Sequence, residues 1–177
     1  MSAPTGILAF EMTVLGLERV EARLAAIIAR TQDFRPVWPD VVKAFQAITT
    51  KAFATEGAST EFGAWTPLAP ATLKERERLG FGAGPILERT GALRRALTLG
   101  EGADVVMEPQ RMQYVLSPNV SYFAYHQSTE PRKRLPRRPP VSLTAADHEA
   151  LINPIALWLI GRDPGAPGSL GNPGTLE

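Results

Sequence analysis

The chain has 177 residues, 44% hydrophobic and 21% charged, proportions of a folding globular domain that exclude a fibrous repeat and wholesale disorder. Lys and Arg number 19 against 18 Asp and Glu, so no global field draws the molecule to nucleic acid or anionic membrane, and any electrostatic partner must be met by a local patch. Cysteine is absent, which excludes disulfides, thiolate nucleophiles and Cys-ligated metal centres, and no run approaches the roughly 18 apolar residues of a spanning helix. The first residues lack the basic-then-apolar pattern of a signal peptide, so the expected setting is a reducing cytosol.

In chain order, residues 6–14 (GILAFEMTV) carry β-branched and aromatic residues in partial alternation and predict a strand. From Leu17 the spacing changes: Leu17, Val20, Leu24, Ile27 and Ile28 recur at three and four residues, the mark of an amphipathic helix. Pro36 and Pro39 punctuate it, and Pro39 suits the first turn of a second helix striped with Val41, Phe45, Ile48 and Ala52. Two helices joined by so short a connection can pack as a hairpin. A small-residue loop over 57–63 leads into an extended Trp65-Thr66-Pro67-Leu68, because a residue before Pro is pushed out of the α region. Pro70 opens a helix through Leu79 whose five consecutive charges, Lys74 to Arg78, read as a wet surface, and three glycines over 80–84 predict a mobile loop.

Thr90 is placed to cap a short helix over 91–97, and two β-like runs, 103–108 and 112–117, flank Pro109-Gln110 as a hairpin. Ser121 is placed to cap a helical 122–127. Between Ser128 and Pro140 the composition turns: five basic residues (Arg132, Lys133, Arg134, Arg137, Arg138), one acid and four prolines give a +4 segment, leaving −3 for the rest of a chain of total +1. Its prolines resist helix and sheet and predict an extended basic arm. Thr144 and Asp147 resemble a capping pair for a last helix with His148, Leu151, Ile152, Ile155, Trp158 and Leu159 on one face, which Pro154 should kink or split. Residues 161–177 hold five Gly and three Pro and form a tail that needs a partner to be ordered. The predicted organisation is one α+β domain over 1–160, helices packed on a small antiparallel sheet, with the arm at 128–140 and the tail at 161–177.

This inventory holds little for catalysis. General acid–base work favours a group titrating near neutrality, and the two histidines, His126 and His148, read as packed or hydrogen-bonded structural residues rather than catalytic ones. No His pair has zinc-binding helical spacing. The glycines at 80, 82 and 84 follow a charged helix rather than a buried strand, with no Gly-Lys-Ser/Thr after them, which argues against a phosphate loop. Asn119-Val120-Ser121 matches a glycosylation sequon that has meaning only in a secreted chain. The arm is the feature with electrostatic meaning: its charges can meet phosphates by counterion release, or acidic surface on a neighbouring subunit. No helix-turn-helix, zinc finger or ribonucleoprotein motif surrounds it to read sequence.

The order of the blocks carries more. Trp65-Thr66-Pro67-Leu68, then Thr72 and Lys74, then Ile86-Leu87-Glu88-Arg89-Thr90-Gly91-Ala92-Leu93, then Tyr122-Phe123-Ala124-Tyr125-His126-Gln127, then Pro136-Arg137-Arg138-Pro139 ahead of Leu143-Thr144-Ala145-Ala146-Asp147 resembles the virion morphogenesis, or tail completion, family of Mu-like tailed phages over roughly residues 1–160. The motif positions are Trp65, Leu68, Leu87, Thr90, Gly91, Leu93, Tyr122, Tyr125, His126 and Gln127. The chain departs from the pattern in its unusually basic arm, in Pro140 where a bulky aromatic is more usual, in Pro154 and in the Gly/Pro tail.

The resemblance implies a small non-enzymatic α+β virion subunit without cofactor. Such a subunit forms a ring, sixfold by analogy with the tail tube, that completes or terminates the tail at its head-proximal end and joins it to the head. The implied partners are further copies of itself, the tail tube protein and head–tail connector proteins, with DNA passing through the lumen; the implied place is the neck of the virion, after assembly in the host cytoplasm. Arg132, Lys133, Arg134, Arg137 and Arg138 would then line the channel or bind acidic patches on neighbours. Two other classes stay open on the residues alone: a basic-armed, non-sequence-specific nucleic-acid-binding module, and a hydrolase whose site the sequence does not display.

Overall fold

A computed structural model describes residues 16–130 and 135–162. The predicted strand over 6–14, the arm residues Arg132, Lys133 and Arg134, and most of the Gly/Pro tail lie outside the described residues. Among the described residues, six helices and one two-stranded antiparallel sheet make the fold α+β: α1 Leu17–Thr31, α2 Trp38–Ala54, α3 Pro70–Arg78, α4 Ala92–Leu99, β1 Ala103–Glu108, β2 Arg111–Leu116, α5 Phe123–Gln127 and α6 Ala145–Leu159, with a 3₁₀ turn over Pro118–Val120.

Helix α2 is the spine. Its C-terminal half joins α4 in an upper core of Phe53, Trp65, Ile86, Leu93, Ala96, Leu97 and Val120. Its first turn belongs to a lower core, where Val37, Trp38 and Val41 meet Leu151, Ile155 and Trp158 of α6. Thr49, fully buried, donates its hydroxyl to the Leu97 carbonyl at 2.8 Å, which satisfies a polar side chain buried between α2 and α4. The hairpin of β1 and β2 pairs Glu108 with Arg111 across Pro109-Gln110, and along β1 Ala103, Val105 and Met107 turn inward while Asp104, Val106 and Glu108 face out, the period of two expected of a half-covered strand. Trp38 Nε1 donates to the Glu108 carbonyl (2.8 Å) and Tyr114 Oη to the Ala96 carbonyl (2.5 Å), so the hairpin is tied to α2 at one end and to α4 at the other.

Four local expectations are corrected. The α1–α2 hairpin does not form: α4 and α6 occupy the apolar stripe of α2, and α1 lies instead against the end of α6, where Arg30 donates to the Leu159 carbonyl (3.1 Å) and sits over the Trp158 ring. No residue of α1 is buried. In α6, His148 and Ile152 point outward, and Pro154 and Leu157 supply the buried face with Leu151, Ile155 and Trp158. Pro154 does not split the helix; its ring fills a buried position, and Ala150, whose carbonyl loses its partner, is exposed to water. Ser121 makes no cap, because it closes the preceding 3₁₀ turn with helical φ and ψ, and Tyr122 takes the N-cap position of α5, which starts at Phe123.

The Thr144–Asp147 pair forms as a reciprocal capping box, with Thr144 Oγ1 accepting from the Asp147 amide (3.2 Å) and Asp147 Oδ2 from the Thr144 amide (2.8 Å). At α4 the arrangement is different: Gly91 takes the N-cap position with φ +71°, a left-handed turn that glycine enters without strain, and Thr90 Oγ1 accepts from the Ala92 amide at 3.4 Å.

Candidate functional site

Three blocks far apart in the chain are stitched together beside the upper core. Prolines at 67, 70, 136, 139 and 140 deprive the two extended segments of backbone donors, so side chains supply them. Trp65 Nε1 donates to the Pro139 carbonyl at 3.1 Å. Arg138 Nε donates to the Thr66 carbonyl at 2.7 Å and its Nη2 to the Pro67 carbonyl at 3.0 Å, a two-pronged grip that suits the planar guanidinium. Gln127 makes a reciprocal pair with Val141, its Nε2 donating to the carbonyl at 2.6 Å and its Oε1 accepting from the amide at 3.3 Å. The Trp-x-Pro-Leu segment, the His-Gln end of α5 and the Arg-Arg-Pro segment thus form one seam.

The other motif residues lie around it. Leu93 is fully buried, Leu68, Leu87 and Tyr122 are half-buried against the same core, and Tyr125 is exposed. Leu87 holds φ +63°, rare for a residue with a γ-branched side chain; the turn is pinned by Glu56, whose Oε1 accepts from the Ile86 amide (2.9 Å) while its own carbonyl accepts from the Trp65 amide (2.7 Å). Sequence reasoning missed Glu56, because nothing local marks a carboxylate that serves a backbone 30 residues away.

The described half of the basic arm divides in two. Arg137 is exposed, with its guanidinium 4.1 Å from the centroid of the equally exposed Phe62 ring. Arg138 is buried, 6% exposed, and grips the seam through Nε and Nη2; it is a strut of the fold and does not belong to the exposed surface of the arm. A second buried arginine was also missed. Arg76, from the charged run of α3 that reads as a wet face, is 5% exposed and donates Nη1 to the Pro85 carbonyl (3.0 Å), closing the glycine loop onto its own helix. Its spacing from Leu73 and Leu79 was the available signal, since i, i+3 and i+6 share a helix face.

These residues border a cleft of about 820 Å³ between α3, α5 and the arm. Apolar Leu68, Leu79, Leu87 and Tyr122 line it, together with Arg76, Arg89 and Arg138, none of which has an ion pair among the described residues. The lining carboxylate, Glu75, is held below its usual range chiefly by the hydrogen bonds it accepts from Arg78. The cleft is therefore apolar with a positive field. His126 lies on its wall, edge-on to Tyr122, with Nδ1 buried and without a hydrogen-bond partner.

Burial, and then the nearby Arg138 charge, push the His126 imidazole below its ordinary value of 6.5. The unfolded chain therefore takes up this proton first as pH falls, so stability is lost between the ordinary value and the depressed one and is untouched above it. Urea unfolding followed from about pH 7.5 to about pH 5 should show His126→Gln losing less stability on acidification than the natural chain; parallel curves would remove His126 as the titrating group.

Among the described residues no cluster of three or more His, Asp or Glu could hold a metal ion, and no helix is long and apolar enough to cross a membrane. Searches of the curated proteins and of the solved structures returned no match. Residues 15–159 match the model of the phage virion morphogenesis family, a span that contains every described helix, the hairpin, the seam and the cleft. The chain belongs to the phage virion morphogenesis family, and its role is a structural one in building a bacteriophage virion.

Proposed function

We propose that the chain is a subunit of a homo-oligomeric ring, sixfold by analogy with the tail tube, that completes or terminates the tail at its head-proximal end and joins it to the head. The observation that carries this reading is α1. A helix inside the family-matched span leaves Leu17, Val20, Leu24 and Ile28 between 52% and 62% exposed along one stripe, surface that a free monomer has no reason to keep and a subunit has. The arm adds to it: with Arg138 committed to the seam, Arg132, Lys133, Arg134 and Arg137 are the charges that remain to face DNA in the lumen or to meet acidic surface on a tube or connector protein.

Light scattering on the chain alone and mixed with its tail tube protein should give a defined multiple of the 19.2 kDa mass. A monomer in both preparations overturns the ring. A monomer whose binding to random DNA weakens steeply with salt would instead favour a nucleic-acid-binding module. In the virus, replacing Arg132, Lys133, Arg134 and Arg137 together by glutamine should leave heads and tails unjoined or slow DNA ejection, and fully infectious particles from that variant would remove the arm from the mechanism.

A further inference from the structure

We infer that the exposed stripe of α1 in one copy seats in the arginine-lined cleft of the next copy, so that a head-to-tail contact between these two surfaces builds the oligomer. The inference rests on the ring reading above and names the surfaces that would make it.

The two surfaces are complementary in chemistry. The stripe of Leu17, Val20, Leu24 and Ile28 is bordered on one side by Glu18 and Glu21, which project about 100° and 40° round the helix from Leu17 at about 100° per residue. The cleft offers apolar Leu68, Leu79 and Leu87 around Arg76, Arg89 and Arg138, against which its lining sets a single carboxylate, Glu75, already bonded to Arg78. Of these arginines, Arg89 is exposed, lies 5.6 Å from the Phe81 ring centroid and makes no ion pair among the described residues; the nearby carboxylate whose charge it feels, Glu75, is already paired with Arg78, so Arg89 can meet an incoming acid. Apolar contact would supply the affinity, and the carboxylates facing Arg89 would fix the direction.

They are also complementary in size and place. A volume of about 820 Å³ equals roughly one and a half turns of a helix about 11 Å across, enough for the side chains of the first two turns of α1. One molecule cannot satisfy both surfaces itself. Helix α1 is held by Arg30 at the α6 end, beside the lower core, whereas the cleft lies over the upper core between α3 and α5. A patch and a pocket on different parts of one molecule make a heterologous contact, which propagates from copy to copy and closes when its rotation divides the circle.

The absence of cysteine gives a clean test on the full chain. Val20→Cys and Leu79→Cys place one thiol on the stripe and one on the cleft rim, both positions being exposed. Oxidising a mixture of the two variants, with tail tube protein present if assembly needs it, should yield a disulfide dimer joining one of each. Glu21→Arg and Arg89→Glu should each weaken assembly at least tenfold by light scattering, and their combination should restore it; both sit on exposed surface, and circular dichroism checks that each variant is folded. Oligomers that form with neither the mixed disulfide nor sensitivity to either reversal overturn the inference and leave the ring standing. Val20→Cys joined to itself, or Leu79→Cys joined to the tube protein, also overturns it by naming another occupant. A chain that stays monomeric under all these conditions overturns both.

Discussion

Trp65→Ala is expected to lower the unfolding free energy by about 3–5 kcal/mol, the cost of emptying a large buried aromatic site, against a total of about 5–15 kcal/mol for a domain of this kind. Trp65 is 4% exposed, meets Phe53 edge to face at 5.4 Å between centroids, and carries the hydrogen bond to Pro139. Its effect reaches past the core because the indole joins the upper core to the returning arm. Trp65→Phe separates the two contributions: it keeps much of the apolar volume and loses the donor, so it should cost less than Trp65→Ala while raising hydrogen exchange around the Gln127–Val141 pair. Equal costs for both variants, measured by urea unfolding, would show that the arm is held independently of the indole. Gly57 is bound to the same site. It adopts φ +87°, and a Cβ there would run into the Trp65 indole, so the loop before Trp65 has room for glycine alone.

The second large effect is expected at Arg138. Arg138→Met should cost about 2–3 kcal/mol, since hydrogen bonds from a charged donor contribute about 1.5–3 kcal/mol and two are lost together. Arg138→Lys should recover little, because an ammonium has no planar fork to span two successive carbonyls. Burial holds the Arg138 guanidinium below its ordinary value, a direction that opposes its stabilising grip and keeps the estimate modest. Arg137→Ala, one residue away, removes an exposed cation–π contact and should cost about 0.5–1 kcal/mol. Urea unfolding of the pair of variants checks this contrast, and an Arg137 variant as unstable as the Arg138 one would show that the arm is held by both. The contrast also decides how assembly defects are read. A defect in a folded Arg137 variant reports a lost contact, whereas one in an Arg138 variant reports a loosened seam.

Much of the architecture was legible because local signals are strong where period and punctuation agree. Helix α1 was readable from apolar residues at three- and four-residue spacing, α2 from Pro39 and its stripe, the hairpin from Pro109-Gln110 between alternating runs, and α6 from the reciprocal needs of Thr144 and Asp147. The family was readable from the order of short blocks, none of them specific alone, and the match over residues 15–159 rests on the same stretch. The misreadings share one cause. Composition treats every charge as solvated, yet Arg76 and Arg138 are buried, because extended proline-rich backbone offers carbonyls without donors and a guanidinium can supply several at once. The pairing of α1 with α2 failed for a related reason. Adjacency in sequence favours a hairpin, but the stripe of α2 was taken by α4 and α6, elements much further along the chain, which left the apolar stripe of α1 uncovered.

By itself, then, the amino-acid sequence determined where most of the described helices and the hairpin lie, that metal and thiol chemistry have few residues to work with, and which family the chain belongs to. These follow from periods, caps and residue order, all of which act over a few residues. Tertiary structure alone decided that the Arg-Arg pair splits into one exposed and one buried side chain, that Trp65, Gln127 and Arg138 form one seam, and that a positive apolar cleft lies apart from an uncovered apolar helix. Those outcomes depend on which surfaces compete for the same partner once the chain is compact, and that competition is settled by burial and by hydrogen-bond satisfaction across distances of up to 129 residues in the chain.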